Sequence, residues 1–220
     1  MLSFISLPIA YIIGSIPFGL LVVRLTTGQD VRVIESGRTG GTNVMRVAGT
    51  LAGLSTAGLD ILKGAMAVWI SQHLAADMVW LNAASGFLAV VGHNYSVFLI
   101  EKDQNGKLHL RGGAGGATTL GAAIGLWVKS WMYILPMALI FYLIVGYASL
   151  TTISIAVSAM GVFLYRAVKG ANPWVFAIFG LAAVIVVVIA LQPNIQRLKE
   201  GTERRVHLKR IFKKQSSNLP

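Results

Sequence analysis

Seven apolar stretches run through the 220-residue chain. The first, Leu2 to Val23, holds no charge, and Arg24 is the first charged residue. The others lie around 50–74, 78–100, 114–128, 131–148, 152–168 and 174–192. A helix needs about 20 predominantly apolar residues to cross the hydrocarbon core of a bilayer. The pattern therefore predicts an all-α, polytopic membrane helix bundle with about seven spans. The stretches 114–128 and 152–168 are short, so the expected count runs from five to seven, and the Gly-rich 114–128 also fits a re-entrant segment. The N-terminal stretch lacks the basic start and small-residue cleavage site of a signal peptide and reads as a retained helix. Residues 1–200 then form a transmembrane domain and 201–220 a basic cytoplasmic tail. No internal repeat stands out.

Charge orients this bundle. With the N-terminus outside, the inside segments hold Arg24, Arg32, Arg38 and Arg46, then Lys102, Lys107 and Arg111, then eight Lys/Arg between Arg197 and Lys214. The outside segments hold Lys129, Arg166 and Lys169. Fifteen against three predicts N-out, C-in. The tail from Arg197 to Lys214 fits either a basic amphipathic helix on an anionic leaflet or a solvated topology signal.

Composition narrows the class. The chain is 55% hydrophobic and 12% charged, with mean hydropathy +0.69. A soluble domain carries about 25% charged residues, which argues against an ordinary soluble enzyme. There is no cysteine, which excludes disulfides, Cys-based metal sites and Cys nucleophiles. The net charge of +11 points to cytoplasmic loops, membrane lipids or a phosphorylated substrate rather than to nucleic acid.

Four polar clusters interrupt the apolar pattern. The first loop places Ser36, Arg38, Thr42, Asn43 and Arg46 among glycines. Glycines let backbone N–H groups approach an anion, and arginine offers phosphate a two-pronged donor. The same residues also fit a Gly-rich connector with topology-setting charges. The second cluster is Asp60 and Lys63 within an apolar helix. Their i, i+3 spacing puts both on one face, where they can form a structural ion pair. The third is Gly92-His93, followed after a polar insert by Arg111-Gly112-Gly113-Ala114-Gly115 and by Thr118. A glycine run opening a helix is an anion site by its free N–H groups and helix dipole, or a close packing contact with a neighbouring helix. The fourth is Asn194 and Arg197, three apart just past the last apolar stretch. Under the predicted topology all four meet at one cytoplasmic membrane face. Nothing in them points to a metal.

The set resembles the acyl-phosphate:glycerol-3-phosphate acyltransferase family of bacterial membranes (the PlsY type). The matching pieces are Gly14-Ser-Ile-Pro-Phe-Gly19, Asp30-x-Arg32, Ser36-Gly37, Gly40-x-Thr-Asn-Val-x-Arg46, Leu59-Asp-x-x-Lys-Gly64, Gly92-His93, Gly112-Gly-x-Gly115 with Ala117-Thr118, and Asn194-Ile-x-Arg-Leu-x-x-Gly-x-Glu203. They run in the family's order across nearly the whole chain. The resemblance implies transfer of a fatty acyl group from acyl phosphate to the 1-hydroxyl of glycerol 3-phosphate, without acyl-CoA, metal or cofactor. It implies catalytic roles for Ser36, Arg46 and Asn194. It implies substrate-binding roles for Arg38, Thr42, Asn43, His93, Arg111, Gly112, Gly113, Gly115, Thr118 and Arg197, with Asp60 and Lys63 structural. The implied location is the inner (plasma) membrane, with the site on the cytoplasmic side.

The chain departs from the family pattern in several places. Ala114 stands where the family's glycine loop has lysine, Arg38 where it has asparagine, Ser96 where it has proline, and Leu191 where it often has histidine. The segment Glu101 to Leu110 is an insert. Arg38, or else Arg111, is expected to replace the lost lysine charge. A small transporter or binding protein for a phosphorylated compound fits the spans and basic loops as well. The two matched halves with broken helices that transporters often show are not seen.

Overall fold

The computed structural model describes residues 2–103 and 105–205. Its helices are α1 (Ser6–Ser15), α2 (Phe18–Thr27), α3 (Gly41–Ala48), α4 (Thr50–Leu74), α5 (Val79–Asn94), α6 (Gly116–Leu126), α7 (Trp131–Ile140), α8 (Ala148–Val168), α9 (Trp174–Ala190) and α10 (Gln192–Lys199). Strands β1 (Ile100–Lys102) and β2 (Leu108–Leu110) form an antiparallel hairpin between α5 and α6. The hairpin coincides with the insert.

The candidate spans fall at the low end of the expected five to seven. Among the described residues, four helical stretches are long and apolar enough to cross a bilayer: Ser3–Thr27, Thr50–Leu74, Val128–Val145 and Ala148–Val168. The pair α9 and α10, bent by 62°, makes a fifth if counted as one span. Each of the seven apolar stretches does contain helix. However, 114–128 yields an α6 of only 11 residues, about 16 Å long at 1.5 Å per residue. Rather than facing lipid, α6 is buried by its neighbours. The sequence counted its apolar residues, but the core of the protein takes the place of the lipid.

The first apolar stretch is also not one continuous helix. Pro17 has no N–H to continue the ladder, and Ile16 leaves helical geometry at ψ 118° between α1 and α2. The Ile16 carbonyl freed by this break accepts a hydrogen bond from Lys63 Nζ at 2.8 Å. Proline acts again at the other end of the chain. Pro193 opens α10 directly after α9 ends at Ala190, which turns the last apolar helix out of its line.

The main core joins α4, α5, α6, α8 and α9. Phe163 is fully buried and meets Phe176 and Phe179 edge-on at 5.5 and 6.2 Å. Glycine brings α4 and α6 unusually close. A Cβ on Gly121 would lie 1.9 Å from the Ile61 carbonyl, and one on Gly64 would lie 2.3 Å from the Thr118 carbonyl. This is the small-residue contact that lets helix backbones approach inside a membrane. The outer surface stays apolar, with Leu51, Ile144 and Ile178 each more than 60% exposed. So many exposed large side chains fit a lipid solvent.

The polar connections gather at one end of the bundle. Arg204 contacts Glu35, Tyr147 pairs with Arg205 across a β-bridge, and Arg32 pairs with Glu101 at 3.2 Å. The loop after α2, the hairpin, the α8 start and the segment after α10 therefore share one side. The predicted basic tail lies mostly in residues 206–220, outside the described residues.

Candidate active site

Asn43 shapes the first loop. Its side-chain amide donates to the carbonyls of Arg38 at 2.9 Å and Ile34 at 3.3 Å, and its Oδ1 accepts from the Ser36 N–H at 3.4 Å. The side chain is buried and occupied by the loop itself. Expected as a substrate-binding residue, Asn43 here spends its amide on the loop that carries Ser36. On the far side of the same loop, Asp30 accepts from Arg32 at 2.7 Å and from Arg24 at 3.1 Å. The Arg32 guanidinium, with smaller help from Arg24, holds the Asp30 carboxyl well below its ordinary range despite partial burial. Thr42 sits half-buried in the first turn of α3 and does not line the cleft described next.

Ser36 and Arg46 are exposed and face the segment from α10 onward across a polar cleft of about 160 Å³. Asn194 Nδ2 donates to Glu203 Oε1 at 3.0 Å, and Arg197 Nε donates to Glu203 Oε2 at 3.3 Å. The Glu203 side chain is nearly buried between them. The Arg197 carbonyl accepts from the N–H groups of Thr202 and Glu203 at 2.8 and 3.1 Å, folding this segment back over the cleft. Glu35, Thr202 and Arg204 complete the lining. Three arginines and two glutamates line the walls; Glu203 pairs with Arg197 and Glu35 with Arg204, so the lining keeps one net positive charge. Glu203 stood in the quoted sequence pattern without a role. Glu35, Thr202 and Arg204 carried no signal beyond adjacency to marked residues.

The glycine loop lies outside the lining of this cleft. The Gly113 N–H donates to the His93 carbonyl at 2.9 Å. A Cβ on Gly113 would sit 2.0 Å from His93 Nε2, and one on Gly112 would sit 2.1 Å from the His93 carbonyl. Only glycine permits this contact. Gly115 turns the chain into α6 at φ +87°, and Thr118 is fully buried in the first turns of that helix. Arg38 ties this loop to the end of α9: it donates to the Gly113 carbonyl at 3.1 Å and to the Ala190 carbonyl. Burial, and then the neighbouring Arg197 charge, lowers the Arg38 pKa, with Glu203 partly opposing. Ala114, half-buried, packs with Ala156, Val187, Leu191 and Ile195 in an apolar cluster.

His93 is buried. Its ring sits between the glycine loop and the membrane-embedded charges, with Nδ1 3.5 Å from Asp60 Oδ1. Lys63 Nζ is 2.8 Å from the same oxygen. The expected Asp60–Lys63 pair is therefore present. His93 joins it and reaches the site by way of Gly113 rather than through the cleft. Arg111 lies outside the cleft lining: it pairs with Glu101 of the hairpin at 2.8 Å and reaches the Arg32 carbonyl at 3.4 Å.

A model of the family described as glycerol-3-phosphate acyltransferase matches residues 4–201. The chain belongs to this acyltransferase family. A glycerol-3-phosphate acyltransferase 2 of Moorella thermoacetica is 35% identical over 204 residues, covering 92% of this chain and 96% of that protein. A glycerol-3-phosphate acyltransferase of Geobacter sulfurreducens is 38% identical over 197 residues, covering 90% and 94%. Among solved structures, the glycerol 3-phosphate form of PlsY (YgiH), an integral membrane glycerol 3-phosphate acyltransferase, superposes with a TM-score of 0.81 at 28% identity, covering 96% of this chain and 99% of that one. The lysophosphatidic acid form of the same enzyme gives 0.77 at 27% identity, covering 95% and 97%. This acyltransferase family member is a multi-pass membrane protein, as its apolar helices and its membrane-embedded neighbour agree.

Proposed function

We propose that this chain transfers a fatty acyl group from acyl phosphate to the 1-hydroxyl of glycerol 3-phosphate. The products are lysophosphatidic acid and inorganic phosphate. The observation that carries the reading is the cleft, where Ser36 and Arg46 on one wall face Asn194 and Arg197 on the other. Two of these side chains are cations and two are neutral hydrogen-bonding groups. That set suits a substrate with a dianionic head and a neutral hydroxyl.

The chemistry asks little beyond placement. The hydroxyl oxygen attacks the acyl carbon, the bond from that carbon to the phosphate oxygen breaks, and the proton leaves with the phosphate. Phosphate is a good leaving group. The protein must bring two anions together and steady the negative charge that develops on the acyl oxygen. Arg46 and Arg197 hold the glycerol phosphate, Ser36 orients the reacting groups, and Asn194 supplies a further donor. Arg38 braces the glycine loop, whose free N–H groups at the α6 start receive the acyl phosphate. The N-terminus lies outside and the cleft opens to the cytoplasm at the inner membrane, as the distribution of Lys and Arg supports.

The test is phosphate release by the purified protein in lipid. Release that requires both acyl phosphate and glycerol 3-phosphate, with lysophosphatidic acid formed in equal amount, is the expected result. Phosphate release independent of glycerol 3-phosphate, or none from a folded protein, refutes the reading.

A further inference from the structure

The hairpin has two unlike faces. Its register sets Ile100 opposite Leu110, Glu101 opposite His109, and Lys102 opposite Leu108, and directly opposed residues share a face. The face with Glu101 and His109 is turned to polar partners. Glu101 accepts from Arg32 and Arg111, and His109 contacts Asp103 at 2.9 Å. The other face holds Ile100, Leu108 and Leu110, which are 47, 60 and 43% exposed, together with exposed Lys102.

This apolar face continues a membrane surface. Leu99, just before β1, is buried against Leu20 and Val23 of α2, whereas Phe98 beside it is exposed. Leu21 and Leu25 on α2 are exposed too, and α2 belongs to the membrane-crossing stretch Ser3–Thr27. Exposed Lys107 follows in the hairpin turn. Large apolar side chains set beside lysines at the end of a span are the composition of a surface that meets lipid headgroups.

We propose that the Ile100, Leu108 and Leu110 face of the hairpin, with Phe98, seats in the headgroup layer of the protein's own bilayer, with Lys102 and Lys107 on anionic lipid phosphates. Glu101 then joins that lipid contact to Arg32, and so to the loop that presents Ser36. The proposal rests on the chain being a membrane protein and not on the acyl-transfer reading, so the two fail separately.

The chain has no cysteine, so a Leu108→Cys variant takes a single environment-sensitive fluorophore, and exposed Leu108 tolerates the change without repacking. The full-length protein is reconstituted into vesicles of phosphatidylcholine alone, or of equal parts phosphatidylcholine and phosphatidylglycerol. Two quenchers are compared: lipid spin-labelled high on the acyl chain, and aqueous acrylamide. The lipid quencher is expected to dominate, more so with phosphatidylglycerol. Lys102→Gln and Lys107→Gln are each expected to weaken docking on the anionic vesicles about five-fold. A probe open to acrylamide and indifferent to lipid composition overturns the proposal. So does energy transfer between labelled copies without lipid quenching, because a second copy of the chain then covers the face.

Discussion

Asp60→Asn tests the charge cluster that supports the glycine loop from below. Lys63 Nζ has two oxygen contacts, Asp60 Oδ1 and the Ile16 carbonyl, each at 2.8 Å. Both charged side chains are almost fully buried, at 2 and 1% exposure. Asparagine keeps the shape and a weak contact but removes the only anion beside the ammonium among the described residues. Breaking a buried ion pair from one side costs about 3–5 kcal/mol. For a chain of this length each kcal/mol lowers the melting temperature by about 2–4 °C, so the expected fall is roughly 6–20 °C. The assay is thermal unfolding of parent and variant in one detergent. The double variant Asp60→Asn/Lys63→Met removes both charges and one of the two donors to the Ile16 carbonyl, which keeps the Phe18 N–H at 3.1 Å, a cost of about 0.5–1.5 kcal/mol. It should therefore melt above the single variant and below the parent. An Asp60→Asn protein that melts with the parent, or a double variant less stable than the single one, refutes the reasoning.

Ser36→Ala and Arg46→Ala remove exposed groups of the cleft. Each should lower acyl transfer about 10²–10³-fold with an unchanged melting curve. Gly113→Ala forces a Cβ to within 2.0 Å of the buried His93 ring. It should cost about 1–3 kcal/mol in melting stability and depress acyl transfer together with it, because the loop and the ring cannot both stay. The Asp30 carboxyl is held below its ordinary value of 3.8 by Arg32 and Arg24, so its folded pKa lies under its unfolded one. Its contribution is then present above about pH 4 and is lost as the pH falls towards the folded value. Melting curves of the parent and Asp30→Asn should differ at neutral pH and converge in acid.

The apolar pattern carried the membrane class, and the distant motifs pointed to the residues of the candidate site, because both depend on residue type more than on packing. The cleft brings Ser36 and Arg46 together with Asn194 and Arg197, four residues marked from the sequence in two separate segments. Three things were not legible. The depth of α6 depends on Gly64 and Gly121 letting two backbones touch, and an apolar stretch looks the same in a core as in lipid. The break at Ile16 and Pro17 lies inside an uninterrupted apolar run, and its freed carbonyl matters only because Lys63 approaches from another helix. Arg111 and Asn43 have the right chemistry for an anion site, yet Arg111 reaches Glu101 on the hairpin and the Asn43 amide turns to the loop carbonyls, both outside the cleft lining. Partner choice of this kind is set by three-dimensional neighbours. The hairpin that supplies Glu101 appeared in the sequence only as an insert.

The central claim is that the phosphate of the substrate lies in the cleft between α3 and the segment from α10 onward. An experimental structure of the full chain in lipid with glycerol 3-phosphate tests this most directly. The account predicts the phosphate within hydrogen-bond reach of Arg46 and Arg197, with the 1-hydroxyl turned towards Ser36. A phosphate bound elsewhere, with the cleft holding only solvent, would contradict it.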